Sequence, residues 1–162
     1  MTKPLNESVG PALGRIPSGL FILTTQWEER RRGMLVSWVQ QVCFQPPMIS
    51  VALAKDRSII QLITDSQRFG LCLLPKSEKT LLRKFAGGVK DDEDPFLDLD
   101  LIKTSEASVP VLAGALNYLE CQVASHIDVN GDHDLFVGKI VAGASITDGD
   151  PFVHIRDNGF RY

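Results

Sequence analysis

The sequence has little of several features that mark specialised classes of protein. Its 162 residues include three cysteines, two tryptophans and two tyrosines, and the formal net charge is −3. Cys43, Cys72 and Cys121 are odd in number and form no Cys-x-x-Cys pair, so neither a disulfide framework nor a zinc ribbon is indicated. All three lie among apolar residues, which predicts reduced core thiols and a cytoplasmic location.

Long hydrophobic runs and an excess of basic charge are also absent. The longest apolar runs, such as Gly19–Leu23, are far shorter than the ~20 residues that a membrane-spanning helix needs. The first fifteen residues hold no apolar signal region. The weak net charge does not suggest nucleic-acid binding. Arg30–Arg32, after two glutamates, are interpreted as a solvated hairpin tip, with attraction of an anionic cofactor as the alternative.

The overall composition is that of one ordinary soluble domain. The chain is 44% hydrophobic and 23% charged. A domain of this length buries roughly 70% of the surface of its unfolded chain, so it needs no disulfide or structural metal. The length excludes a two-domain dehydrogenase. A nucleotide cofactor would therefore bind within one compact domain or between two copies of it.

Alternation and β-branched residues predict about six or seven strands. The strand-like runs are Leu20–Thr25, Met34–Phe44, Met48–Ala54, Phe69–Leu74, Leu119–Ile127, Leu135–Val141 and Phe152–Ile155. Pro46 and Pro47 separate the second run from the third, and Asn130-Gly131 forms the turn of a C-terminal hairpin. Because the strands follow one another without a βαβ rhythm, we expect a closed antiparallel barrel with helices at its margins.

Two helices are predicted between the strands. Ser58 followed by Gln61 fits a capping box, and this helix should end near Asp65. Ser77 can cap a second helix, which two glycines then stop. The acidic run at 91–94 is interpreted as a solvated loop. Residues 1–13 show little periodicity, so we expect a loose arm before a barrel domain at 14–162.

The common nucleotide and hydrolase motifs are absent. No Gly-x-Gly-x-x-Gly follows a strand, and neither a P-loop nor a Gly-x-Ser-x-Gly elbow occurs. The segment 128–139 resembles a calcium loop but has lysine where the last ligand should be. These absences leave the function to less generic features.

Two adjacent stretches are such features. Residues 33–47 contain Ser-Trp-Val and a Pro-Pro break, and residues 51–58 contain Ala-Lys-Asp-Arg. With Pro-Ser-Gly-Leu at 17–20 and Gly-Asp-His at 131–133, they resemble the flavin reductase-like family of FMN-binding split barrels. The resemblance extends from about Gly14 to Tyr162. Within the family, the sequence most resembles the flavoredoxins and the flavin reductase module of cyanobacterial flavodiiron proteins.

The resemblance implies a fold, a cofactor and an assembly. The implied fold is mainly β with flanking helices, a six-stranded antiparallel split barrel. The implied assembly is a homodimer with one FMN, less often FAD, per subunit in a groove at the interface. NADH or NADPH would reduce the flavin. No nucleic-acid or membrane partner is expected.

The segment between the third strand and the first helix is suited to binding the flavin phosphate. A phosphate needs positive charge and hydrogen-bond donors, and a helix start supplies free backbone N–H groups. The expected phosphate-binding residues are Lys55, Asp56, Arg57 and Ser58. Arg57 can bind a phosphate with two hydrogen bonds, whereas Lys55 acts as a point charge. The alternative is an exposed helix cap without a ligand.

The resemblance also assigns residues to the flavin ring. These expected contacts are Met34, Leu35, Val36, Ser37, Trp38, Ser50, Ala52, Ala54 and Phe85. Trp38 has a core or dimer-interface position as its alternative, Phe85 a core position, and the small residues from Ser50 to Ala54 tight packing in the barrel. Cys43 stands where relatives commonly have serine, which would weaken any hydrogen bond from this position to the flavin.

His133 is the candidate catalytic residue. The resemblance places it near the flavin and the nicotinamide, where an imidazole can orient the nicotinamide or stabilise reduced flavin. The alternative is a hairpin-turn histidine that faces water.

These expectations lead to one function with two rivals. The first interpretation is an NAD(P)H-dependent flavin reductase, in which hydride passes from nicotinamide to flavin N5. The second is a flavoredoxin-like electron carrier with tightly bound FMN and a protein redox partner. The third is a split barrel that binds haem or pyridoxal phosphate.

Overall fold

The computed structural model describes residues 4–104 and 108–162. The helices are α1 (Leu5–Gly14), α2 (Ile59–Ser66) and α3 (Lys79–Ala86). The strands are β1 (Ser18–Gly19), β2 (Phe21–Trp27), β3 (Arg30–Val36), β4 (Val39–Phe44), β5 (Pro47–Ala54), β6 (Arg68–Leu73), β7 (Asn117–Asp128), β8 (His133–Ser145) and β9 (Val153–His154). Within the described ranges, no helix has both the length and the hydropathy that crossing a bilayer requires.

The main sheet is antiparallel and has seven strands in the order β3-β2-β6-β7-β8-β5-β4. The expected mainly-β antiparallel class is therefore confirmed, but this sheet has seven strands rather than six. The difference arises because the run predicted as one strand, Met34–Phe44, divides at Ser37 and Trp38. Its first half pairs with β2 and its second half with β5. β1 and β9 form a separate two-stranded ribbon, so the short last strand is confirmed.

Alternation along β5 separates the barrel interior from the outer face of the strand. Val51 and Leu53 are fully buried in the cluster that fills the barrel, together with Phe69 of β6 and Phe136 of β8. Ala52 and Ala54, which alternate with them on β5, are only partly buried and face the other way. A strand with one face packed in the core therefore offers its other face to a ligand.

The first helix differs from the expected loose arm. α1 contains Pro11 and two glycines, which disfavour helix and hid it from the sequence pattern. Contacts far along the chain stabilise it instead. Gly10 O accepts a hydrogen bond from Gly159 N at 2.7 Å, and Gly14 O accepts one from Arg156 N at 2.9 Å. A Cβ at Gly14 would lie 2.3 Å from Arg156 O, so this close approach needs a glycine. The division between a 1–13 segment and a 14–162 barrel stays a prediction.

The caps of the other two helices also differ from expectation. Ser58 is itself helical and its hydroxyl donates to Asp91 rather than to the backbone, so the predicted capping box is wrong. α2 ends at Ser66, close to the predicted end. α3 is capped by Glu78, not Ser77, because the Glu78 carboxylate accepts from the N–H groups of Thr80 and Leu81. The carboxylate suits a helix N-terminus, where the dipole favours negative charge.

The prediction that Arg30–Arg32 form a solvated hairpin tip is only partly correct. The turn between β2 and β3 lies at the two glutamates, and Arg30–Arg32 belong to β3. Arg31 forms an ion pair with Asp94 at 2.6 Å, and Arg32 is buried. Of the acidic run predicted as a solvated loop at 91–94, residues 91–93 are exposed, whereas Asp94 is partly buried by its pairing with Arg31.

Two of the three cysteines are core thiols as predicted, and Cys43 on β4 is only partly buried. Burial raises the pKa of Cys72 to about 11 and that of Cys121 to about 12. At about pH 8 both are therefore protonated and inaccessible.

We expect a disulfide reagent to modify at most one thiol per chain in the native protein and all three after unfolding, as measured by thiolate release. Fast modification of two or three native thiols would contradict this packing.

Candidate functional site

A groove of 690 Å³ runs between β3 and β5 and is bounded by the start of α2 and the end of α3. This volume is typical of a site for a small organic ligand. Most of the predicted site residues line it, namely Met34, Leu35, Val36, Ser37, Trp38, Ala52, Ala54, Asp56, Arg57, Ser58, Phe85 and His133. The structure thus brings the two characteristic stretches of sequence and the C-terminal hairpin to one place.

The wall formed by β5 is flat because its groove-facing residues are small. Ala52 and Ala54 are partly buried and line the groove, while Leu53 between them is buried in the barrel cluster. In the sheet register, Ala54 lies opposite His133 of β8. Methyl groups leave room for a planar ring to approach the strand closely.

Aromatic rings form one part of the groove lining. The Trp38 and His133 ring centroids are 4.8 Å apart, and Trp38 lies 5.8 Å from Tyr162. The Arg156 guanidinium carbon lies 5.4 Å from the centroid of Trp38, within cation–π range. Trp38 therefore lies at the groove rather than only in the core.

His133 is oriented by its neighbour in the chain. Its Nδ1 lies 2.8 Å from Asp132 Oδ1, and this hydrogen bond is the main cause that lowers the pKa of Asp132. Since a carboxylate accepts, Nδ1 carries the proton and Nε2 is left as the acceptor of the neutral ring. The His133 side chain is only 16% exposed, so it is not the solvent-facing turn residue of the alternative interpretation.

The groove lining also includes polar and charged groups at the start of α2. The Arg57 side chain is 53% exposed, and its Nε lies 3.6 Å from Asp56 Oδ1. Such an exposed pair is weak, so Arg57 remains available to an anion. Ser58 Oγ donates to Asp91 Oδ1 at 2.5 Å.

Two predicted residues, Lys55 and Ser50, do not line the groove. Lys55 Nζ binds Asp128 Oδ1 at 2.7 Å and lies 3.7 Å from Asp134 Oδ1. The hydrogen bond to Asp128 is the main cause that raises the pKa of Lys55. Lys55, directly after the end of β5, therefore links this strand to the β7–β8 hairpin. Ser50 is covered by β4 and donates to the carbonyl of Gln40 at 3.3 Å.

Several groove residues were not predicted as site residues. They are Leu20, Arg32, Gly33, Leu53, Ile59, Leu82, Ala86, Gly88, Val89, Asp91, Phe152, His154 and Tyr162. His154 and Tyr162 come from the C-terminal segment, where β9 pairs with β1 across most of the chain. No local pattern indicates this return. Arg32 belongs to the arginine cluster at 30–32. Attraction of an anionic cofactor was the alternative interpretation of that cluster in the sequence.

Phe85 and Cys43 are also placed by the structure. Phe85 is buried, and its ring centroid lies 5.8 Å from that of Phe96. It also lines the groove, so it belongs both to the core and to the candidate site. Cys43 lies on β4 and does not line the groove. The expected effect of its thiol on a flavin contact therefore has no support here.

An antiparallel barrel whose groove combines small apolar, aromatic and cationic side chains is thus the fold and the candidate site of this chain. The chain belongs to the family described as "Flavin reductase like domain", whose profile matches residues 13–161. The resemblance found in the sequence is confirmed at the level of the family.

The chain is similar in sequence to one part of several larger proteins. It is 37% identical to diflavin flavoprotein A 1 of Synechocystis sp. over 162 residues, which cover 99% of this chain and 28% of the relative. A second diflavin flavoprotein, A 3 of Nostoc sp., is described as putative and is 36% identical over 164 residues, 28% of its length. The chain thus spans less than a third of these relatives.

Solved structures share the fold. The flavin reductase SMOB of the styrene monooxygenase from Pseudomonas putida S12 superposes with a TM-score of 0.75 at 28% identity, covering 90% of this chain and 91% of that one. The NADH:FAD oxidoreductase SgcE6 of Streptomyces globisporus has a TM-score of 0.82 at 24% identity, covering 90% and 85%. SgcE6 has also been solved with NAD and FAD fragments.

Proposed function

We propose that this protein is an NAD(P)H-dependent flavin reductase that binds FMN, less readily FAD, in the groove between β3 and β5. The observation that carries the proposal is the groove itself, which brings a wall of alanines, aromatic rings and the Arg57 cation together in one cavity. The function of the solved relatives supports the reaction class.

The residues present fit a flavin mononucleotide. Ala52 and Ala54 leave space for a planar ring against the strand, and Ser37 and the β3 backbone offer hydrogen bonds to its polar edge. Arg57 and the backbone at the start of α2 supply charge and donors for a phosphate. When bound, flavin supplies the hydride-accepting chemistry at N5.

The protein's own contribution is position and electrostatics. Trp38 and His133 line the groove and leave a nicotinamide little freedom in its placement. The Asp132 carboxylate orients the His133 ring, whose Nε2 can accept a hydrogen bond at the site. No acid–base residue is essential to this scheme, because hydride transfer between stacked rings requires none.

Anaerobic mixing of the FMN-loaded protein with NADH or NADPH tests the enzyme function. We expect the oxidised flavin absorbance to be lost as nicotinamide is oxidised, with free FMN reduced over many turnovers. Unchanged flavin absorbance with both nucleotides would refute the reductase. Tightly retained FMN without nicotinamide oxidation would instead support a flavoredoxin-like carrier with a protein redox partner. The likeness to a module of larger diflavin flavoproteins favours that second candidate.

Arg57 and Lys55 can be distinguished by substitution. Arg57→Met should weaken FMN binding about tenfold or more, because it removes a charged hydrogen-bond donor to the phosphate. Lys55→Met should change FMN affinity by no more than about twofold, since Lys55 pairs with Asp128 outside the groove. Flavin fluorescence titration measures both. The reverse order of effects would assign the phosphate to Lys55.

We further propose a homodimer in the cytoplasm. Apolar side chains are exposed on four strands of the main sheet, namely Trp27 on β2, Val42 and Phe44 on β4, Ile127 on β7 and Val141 on β8. An edge strand such as β4 with exposed apolar residues is typically covered by a partner. A second copy would complete the groove. The unpaired thiols support a reducing compartment.

Phe44→Glu should convert the dimer to a monomer, because it places a charge where a side chain now 90% exposed would be buried by a second copy. Size-exclusion chromatography with light scattering measures the mass. The control is Leu97→Glu, at an exposed apolar residue outside the strands. A monomeric unaltered protein, or a dimer that survives Phe44→Glu unchanged, would contradict this interface.

A further inference from the structure

Arg32 is a buried cation on the groove wall that the proposed mechanism does not use. It is 7% exposed, and its Nη1 donates to the backbone carbonyls of Arg31 at 2.9 Å and Glu93 at 3.2 Å. Its Nε is buried without a hydrogen-bond partner in the described part of the chain. The side chain is therefore fixed in place and incompletely satisfied.

The charge of Arg32 is not compensated by a carboxylate. Arg32 takes part in none of the ion pairs that the described residues, 4–104 and 108–162, form with one another. Two other arginines that face buried or partly buried groups are paired, Arg31 with Asp94 and Arg68 with Glu120. Neutral carbonyls orient a guanidinium without cancelling its charge. A buried charge left in this state is costly unless an anion binds beside it.

The position of Arg32 indicates where that anion would lie. The carbonyl that holds Arg32 belongs to Glu93, and the carboxylate that holds Ser58 belongs to Asp91, two residues earlier. Two residues of chain span at most about 7 Å, so both side chains contact the same short segment. Arg32 and the start of α2 therefore lie near each other in the groove, which both line.

We propose that Arg32 is a second phosphate-binding residue of the groove, acting together with Arg57. The inference rests on the proposed function, because it requires a nucleotide in the groove. Its ligand is a phosphate monoester, either that of FMN or the 2′-phosphate of NADPH. A planar guanidinium suits such a ligand because its N–H groups can donate in pairs. Arg57 and Arg32 together supply two positive charges for a phosphate dianion.

The test compares Arg32→Met with the matched control Arg31→Met, which removes the same charge one position earlier. FMN and riboflavin are titrated against each protein, since riboflavin has the ring but lacks the phosphate. For Arg32→Met we expect FMN binding to weaken about tenfold or more while riboflavin binding is unchanged. Arg31→Met should leave both affinities unchanged. Arg32→Lys, which keeps a charge, should recover part of the FMN affinity.

A second arm separates the two sources of phosphate. If FMN binding is unaffected but the KM for NADPH rises about tenfold relative to that for NADH, Arg32 binds the nicotinamide phosphate and the proposal holds. If FMN and riboflavin weaken in parallel, or if neither FMN nor NADPH is affected, the proposal is overturned. The melting temperature of the flavin-free Arg32→Met protein should not fall, and a large fall would show a structural role instead. No flavin binding by the unaltered protein would refute the proposed function itself.

Discussion

Ala52→Phe is expected to abolish FMN binding while leaving the protein folded. Ala52 lines the groove from β5, and its neighbours Val51 and Leu53 carry the packing of this strand in the barrel. A benzyl group at position 52 would occupy the space against the strand that the flavin ring needs. We expect the affinity for FMN to fall about a hundredfold or more, since the ring loses its apolar contact area.

Fluorescence titration with FMN measures this loss, and circular dichroism and thermal unfolding report on the fold. The matched control is Ala12→Phe, at an exposed position on α1 that does not line the groove. It should bind FMN like the unaltered protein. FMN binding by Ala52→Phe at unaltered affinity would show that the flavin lies elsewhere.

Phe69→Ala is expected to cause the largest loss of stability, about 3–5 kcal/mol. Phe69 is fully buried in the cluster that fills the barrel, and its ring packs against the backbone of β8. The contact is close, because a Cβ added to Gly138 would lie 2.6 Å from Phe69 Cζ. Removing the ring leaves a cavity between β6 and β8 that the sheet cannot close by small shifts.

Urea denaturation of the flavin-free protein measures the free energy of unfolding. The control Phe160→Ala removes the same ring from a largely exposed position and should cost less than about 1 kcal/mol. Equal losses from the two substitutions would contradict the assignment of Phe69 to the barrel core.

The strands were predictable from sequence wherever a local pattern determines them. Period-2 alternation marks β7 and β8, and a pair of prolines marks the boundary between β4 and β5. The boundary at Ser37 and Trp38 was missed because the apolar pattern continues across it, although the two halves join different neighbours in the sheet. Helix α1 was missed because its glycines, unfavourable in isolation, allow close backbone contacts with residues 156–159.

The candidate site was predictable where its residues are consecutive along β3 and β5. The predicted phosphate contact of Lys55 has no support in the groove, because Lys55 follows the end of β5 and pairs with Asp128 on the hairpin instead. Tyr162 and His154 reach the groove only because the C-terminal segment returns to β1. Such a return depends on tertiary contacts, which a single sequence does not display. The burial of Arg32 depends in the same way on the loop that contains Glu93.

The most direct measurement is an equilibrium titration of the flavin-free protein with FMN, followed by fluorescence quenching and by the visible spectrum. We predict saturable binding of one FMN per chain with a Kd below about 10 µM. The bound form should show oxidised flavin bands near about 370 and 450 nm. Absence of saturable binding, or a purified protein that carries the spectrum of haem or pyridoxal phosphate instead, would contradict a flavin site between β3 and β5.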